Sequence, residues 1–208
     1  MSKPGVRIAV LAGGRGSRLG GEKARAELGG RPLLAHVLDA ALATGLPVLL
    51  VAKRDTPLPE LGVEILFEPD EPRHPLTGIL AALRTLPAED PGAALLALGC
   101  DMPFLTAELL SALAAREGAA ALGAPGDLQP LPARIPRSAL APLEGALAER
   151  GPLRAAIAGL RPSLIGPAEL ASFGDPARLL LNVNDPAELD AARRLLSSRT
   201  GRSAPPPR

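Results

Sequence analysis

Aromatic side chains are nearly missing from this chain: it has three Phe, no Trp and no Tyr. That argues against the stacking platforms on which single-stranded nucleic acids are bound. Cysteine is limited to Cys100, which excludes an intrachain disulfide and any multi-cysteine zinc or iron–sulfur site. Neither sign of charge is in excess. Lys and Arg total 23, Asp and Glu 22, and the net charge is +1. No basic field points to nucleic acid and no acidic field repels anionic ligands. No apolar run approaches the roughly 18–20 residues of a membrane span. The run Ile8–Ala12 is cut off by Gly13-Gly14-Arg15 and is too short for a signal-peptide core. The expectation is a cytoplasmic protein with no membrane and no nucleic-acid partner. Lysine is scarce too: Lys3, Lys23 and Lys53 stand against twenty Arg, and Asn182 and Asn184 are the only asparagines. In such a background a lysine in a glycine-rich loop, or two asparagines spaced two apart, point to selection for a purpose.

What is present is a folding chain. Of 208 residues 47% are hydrophobic, enough for one core. The reading is a single domain over 1–197, with a Ser/Arg/Pro-rich tail over 198–208 read as flexible. Short apolar runs predict strands at Val6–Leu11, Val48–Val51, Val63–Phe67, Ala93–Leu98 and Leu179–Val183. Gly29-Gly30 predicts a turn. Helices are expected from about Pro32 to Thr44, with Gly45 as the stop. Others are expected from Gly78 to Leu86 behind a Thr77 cap, and from Thr106 to about Arg116. Further on, Ala119–Leu122 and Leu131–Arg134 read as strands around a turn at Gly123–Asp127. Ser138–Arg150, Leu153–Leu160 and Pro186–Ser197 read as helices. This alternation is the pattern of an α/β protein with a mostly parallel central sheet covered on both faces, a Rossmann-like three-layer sandwich.

The chemistry concentrates after the first strand, in Leu11-Ala12-Gly13-Gly14-Arg15-Gly16-Ser17-Arg18-Leu19-Gly20-Gly21-Glu22-Lys23. Open α/β sheets bind ligands at the carboxyl ends of their strands. Glycines let backbone N–H groups close on an anion, and Arg15, Arg18 and Lys23 add cations. The loop reads as a polyphosphate cradle. It is neither a P-loop, since Glu22 rather than Gly precedes Lys23, nor a full dinucleotide fingerprint, since Leu19 stands where the third Gly is required. A solvated glycine loop is the competing reading.

The whole string, L-A-G-G-x-x-x-R-L-G-x-E-K, resembles the signature of the molybdenum cofactor guanylyltransferases, which belong to the nucleotide-diphospho-sugar transferase type of fold. Leu28-Gly29-Gly30-Arg31-Pro32-Leu33 continues the likeness. So do Asp70 with Pro75-Leu76-Thr77-Gly78-Ile79, Cys100-Asp101-Met102-Pro103, Gln129-Pro130-Leu131 and Asn182-Val183-Asn184-Asp185-Pro186. Only 136–173 lacks a sharp motif. Two departures stand out. Ala52-Lys53-Arg54 occupies the place of the family's A-N-R, and His74 stands where glycine is common.

The resemblance implies transfer of GMP from GTP to the phosphate of molybdopterin or its molybdenum-loaded form, with release of pyrophosphate and Mg²⁺ as cofactor. It also implies a molybdenum-insertion protein as the donor of the pterin. Leu11, Ala12, Gly13, Gly14, Lys23, Asp70 and Asp101 are then nucleotide contacts. Lys23, Arg18 and Asp101 are the residues of catalysis, with Asp101 the metal ligand. Asn182 and Asn184 would face the acceptor from one side of a strand; as turn formers before Asp185-Pro186 they have a plainer explanation. Gly13 and the Pro75–Gly78 turn favour guanine. A CTP-dependent molybdopterin cytidylyltransferase or a sugar-1-phosphate nucleotidylyltransferase is the alternative. His36 and His74 are read as buried or solvated histidines without a catalytic part.

Overall fold

Alternate residues of the first strand face opposite apolar layers. In β1 (Val6–Leu11), Val6, Ile8 and Val10 join one core cluster and Ala9 the other. The structure is a computed structural model and describes residues 5–13, 26–124 and 126–200. The glycine-rich loop with Gly14, Arg15, Arg18 and Lys23, and residues 201–208, lie outside the described residues.

After the loop, β2 (Glu27–Leu28) and β3 (Arg31–Pro32) pair as a short hairpin. Gly29 and Gly30, both at positive φ (61° and 76°), turn it, as a two-residue hairpin requires. Helix α1 (Leu33–Leu42) follows, then β4 (Val48–Ala52), β5 (Glu64–Phe67), α2 (Pro75–Arg84), β6 (Ala94–Gly99) and α3 (Ala107–Ala114). The second half holds β7 (Ala120–Ala124), β8 (Asp127–Pro136), α4 (Leu140–Ala148) and α5 (Leu153–Gly159). It ends with β9 (Ser163–Ile165), the short helices α6 (Pro167–Leu170) and α7 (Pro176–Leu179), and α8 (Pro186–Thr200).

The central sheet has seven strands in the order β5-β4-β1-β6-β8-β7-β9. β5, β4, β1 and β6 run parallel, and β8 runs antiparallel to both its neighbours. β6 is buried along its whole length, as a strand covered on both faces demands. Leu96 and Leu98 face a layer with Leu34, Val37 and Leu109; Leu95 and Ala97 face a layer with Ile79, Leu83 and Ile157. The α/β three-layer reading therefore holds. A third cluster joins Leu28, Leu33 and Phe104 to Val183, Leu189 and Ala192 of the C-terminal segment.

Several assignments differ from expectation, four of them for a clear local reason. Leu179–Val183 is not a strand. Asp175 caps α7, its carboxylate accepting from the Ala177 N–H (3.0 Å), and Pro176 occupies the first helical turn. The apolar residues beyond are irregular and pack inward without a ladder. The α2 cap is His74, whose Nδ1 accepts from the Leu76 N–H (3.2 Å), with Pro75 behind it. Thr77 instead donates its hydroxyl to the Pro72 carbonyl (2.7 Å). β9 lies inside the stretch that carried no motif. The last helix continues to Thr200, three residues past Ser197.

Candidate functional site

The carboxyl ends of the parallel strands are brought level by backbone hydrogen bonds. Ala12 N–H donates to the Val51 carbonyl (2.8 Å), Glu68 N–H to that of Ala52 (2.9 Å), and Cys100 N–H to that of Leu11 (3.3 Å). A cavity of about 350 Å³ opens at this edge, within the usual size of small-molecule sites. Leu11, Gly13, Val51 and Gly99 form its floor, with Pro75 and Gly78 of α2 on one wall and Asp101 and Leu131 on the other. The point at which the described chain leaves β1 is thus part of the cavity.

Asp101 follows the buried β6 and keeps a partly exposed side chain. Its carboxylate folds back over Gly99: a Cβ there would sit 2.4 Å from Oδ1. Its backbone carbonyl accepts from the Val183 N–H (2.8 Å). That bond brings the Asn182–Asn184 segment beside Asp101. The two asparagines do not share a strand face. Asn182 Nδ2 donates to the Leu180 carbonyl (3.2 Å), a local turn contact, and the Asn184 N–H donates to Glu188 Oε2 (2.6 Å). Among the described residues no cluster of three or more His, Cys, Asp or Glu side chains could hold a metal ion. One carboxylate matches instead the habit of Mg²⁺, which takes few protein ligands and completes its shell with water and substrate phosphate.

At the other end of the cavity is a feature that sequence reasoning touched only at Lys53. Lys53 and Glu68 form a buried ion pair, Nζ to Oε1 3.4 Å, with 3% and 7% of their side-chain surfaces exposed. Lys53 also donates to the Pro69 carbonyl (2.6 Å). Two glycines enclose the carboxylate. A Cβ on Gly13 would lie 2.0 Å from Oε1, and one on Gly78 2.7 Å from Oε2 and 3.1 Å from Val51 Cγ1. Burial raises the Glu68 carboxyl above its ordinary value, against the opposing pull of Lys53 and, more weakly, Arg73. Asp70, the expected acidic contact, is exposed and is not among the described residues lining the cavity; Glu68, two positions earlier, is. Arg73 and His74 line the rim. Arg73 is paired with Asp55 (3.3 Å) and Glu71 (3.5 Å). His36 Nε2 lies 2.9 Å from the Leu28 carbonyl, a structural contact between α1 and β2. Among the described residues no helix is long and apolar enough to cross a membrane.

The chain resembles known proteins in sequence and in fold. The molybdenum cofactor guanylyltransferase of Acidiphilium cryptum is 34% identical over 197 residues, covering 90% of this chain and 93% of its own length. The probable molybdenum cofactor guanylyltransferase of Chloroflexus aggregans is 35% identical over 201 residues, covering 91% and 94%. The structure of molybdopterin-guanine dinucleotide biosynthesis protein A from Archaeoglobus fulgidus superposes with a TM-score of 0.75 over 92% of this chain and 99% of its own, at 24% identity. The family model for the MobA-like NTP transferase domain matches residues 8–164, which take in most of β1, the cavity floor and both carboxylates, and the chain belongs to that family.

Proposed function

We propose that this chain is a nucleotidyltransferase of molybdenum cofactor biosynthesis that moves GMP from GTP to the terminal phosphate of molybdopterin and releases pyrophosphate. The reading rests on one observation above all: Gly13, at the start of the glycine-rich loop, and Asp101, at the end of β6, line the same cavity at the carboxyl edge of the sheet. A cradle for phosphate and a carboxylate suited to a cation then meet where open α/β sheets bind ligands. The guanylyltransferase names of the relatives from Acidiphilium and Chloroflexus support the choice of GTP and of the pterin.

In this reaction an oxygen of the pterin phosphate attacks the α-phosphorus of GTP and the bond to pyrophosphate breaks. Both reactants are anionic, so alignment and neutralisation of charge supply most of the acceleration. The chain needs no covalent nucleophile. Lys23 and Arg18 serve as phosphate ligands, each charge-assisted bond contributing about 1.5–3 kcal/mol. Asp101 would hold Mg²⁺, which supplies further neutralisation of the phosphates when bound. Asn182 and Asn184, carried to Asp101 by the Val183 hydrogen bond, would face the acceptor. A molybdenum-insertion protein as pterin donor belongs to the same reading.

Calorimetric titration with GTP, CTP, UTP and ATP, each with and without Mg²⁺, tests it. GTP is expected to bind selectively. Selective binding of CTP or UTP would move the protein to another base, and no binding of any nucleotide would remove the reading. Asp101→Ala is expected to lose turnover by at least about a hundredfold with an unchanged circular dichroism spectrum. Near-normal turnover would take Asp101 out of the mechanism.

A further inference from the structure

We infer that Arg178 is a positioning residue for the acceptor side of the site: its guanidinium, over the Phe104 ring, fastens the segment that carries Asn182 to the turn that carries Asp101. The role rests on the transfer reaction proposed above and deepens it.

Two contacts join the same two stretches of chain. Arg178 Cζ lies 4.5 Å from the centroid of the Phe104 ring, within the range at which an aromatic face holds a guanidinium. The Val183 N–H donates to the Asp101 carbonyl (2.8 Å). Asp101 and Phe104 stand on one turn after β6, and Arg178 and Val183 bracket Asn182 on the other stretch. Residues 181–184 belong to no helix or strand, so no ladder sets their path and these fastenings must. Backbone bonds carry the position of Arg178 onward. The Leu181 N–H donates to the Arg178 carbonyl (3.2 Å), and Asn182 Nδ2 donates to the Leu180 carbonyl (3.2 Å).

Apolar packing alone does not make this link. Leu179, beside Arg178, is buried in the layer with Leu96 and Leu98. Phe104 is buried in the separate cluster with Leu28, Leu33 and Val183. The guanidinium of half-buried Arg178 joins α7, anchored in the first, to a ring anchored in the second. Transfer is sensitive to such a fastening. The attacking oxygen must come within about 3–3.5 Å of phosphorus, and a misplacement of about 1 Å costs about a hundredfold. The far end of the cavity, at Lys53 and Glu68, is built by the ends of β4 and β5 and by α2. Loss of Arg178 leaves that end in place, so the effect falls on the acceptor and not on the nucleotide.

The test uses the whole chain and Arg178→Ala. Hydrogen exchange is read at the Val183 amide without any ligand. The KM for molybdopterin and the dissociation constant for GTP are then measured with Mg²⁺. In Arg178→Ala the Val183 amide is expected to exchange at least about fivefold faster. The acceptor KM is expected to rise about fivefold or more, with GTP affinity within about twofold. Phe104→Leu is expected to do the same, and the double variant to be no worse than the worse single one. Unchanged exchange at Val183 overturns the fastening. Faster exchange with an unchanged acceptor KM overturns the positioning role, because a purely structural contact behaves that way. Effects of the two substitutions that multiply overturn the Phe104 contact as the cause. If Phe104→Leu fails to fold, Arg178→Ala decides alone. An unmodified chain that transfers nothing to molybdopterin overturns the proposed reaction and this role together, whatever the exchange at Val183.

Discussion

Glu68 is expensive to keep ionised where it is. Burial outweighs the attraction of Lys53 and raises its carboxyl above the ordinary value of 4.5. A carboxyl whose folded pKa lies above its unfolded one takes up its proton more readily in the folded state. Its contribution to stability is therefore greatest below about pH 4.5 and declines as pH rises through the raised folded value, then stays level. Glu68→Gln removes that decline. In urea unfolding from pH 4 to 8, the variant is expected to gain on the unmodified protein as pH rises above 4.5, and the gap is expected to become constant once Glu68 is fully ionised. A gap that does not change with pH would show that Glu68 titrates alike in both states. Lys53 was open to notice from sequence, because lysine is rare here and breaks a family motif. Glu68 was not. It is one of 22 acidic residues, and its burial arises only when β5 pairs with β4 and the glycine face of α2 packs over the strand ends. Asp70 carried the family motif, yet the chain turns it outward.

Elements whose signals lie in adjacent residues were legible, and those fixed by distant partners were not. β1, β4, β5 and β6 announce themselves as short apolar runs bounded by glycine or proline. The β2–β3 turn is set by two glycines at positive φ. Thr106 caps α3, its hydroxyl accepting from the Leu109 N–H (3.3 Å). By contrast, β8 was legible only at Leu131–Arg134 and runs from Asp127 to Pro136, because Pro130 and Pro136 hide its ends from a propensity argument. β9 is three residues long and exists because β7 offers an edge. Gly78 shows how an element serves the site. It lies inside α2, where glycine costs about 1 kcal/mol relative to alanine. Gly78→Ala relieves that cost but drives a methyl group to 2.7 Å from Glu68 Oε2 and 3.1 Å from Val51 Cγ1. Val51 is in the packed core, so the carboxylate must give way. The expected outcome is a weakening of GTP affinity of about tenfold or more with little loss of melting temperature. A variant that binds GTP normally would show that Glu68 can move without consequence.

Across the whole molecule, two ends of one cavity are built by different parts of the chain. The Glu68 end belongs to the parallel strands and α2, all within the first half. The Asp101 end is completed from the far terminus. Val183 N–H holds the Asp101 carbonyl, and Val183 is fully buried in the cluster with Leu28, Leu33, Phe104, Leu189 and Ala192. That cluster fastens α8 to the β2–β3 hairpin and α1. Sequence patterning saw apolar residues at 179–183 and assigned a strand, because a run of that kind says that burial occurs but not against what. The arrangement predicts a separation of effects. Val183→Ala keeps the backbone hydrogen bond but removes two methyl groups from a packed site, for a cost of about 1–3 kcal/mol. The loosened segment lies beside Asp101 and away from Glu68. Turnover is expected to fall severalfold while the dissociation constant for GTP stays within about twofold, with kinetics and calorimetry read on the same preparation below its melting temperature. Parallel losses in turnover and GTP affinity would mean that the two ends of the cavity are mechanically one, and that the C-terminal segment supports nucleotide binding as much as it supports the acceptor side.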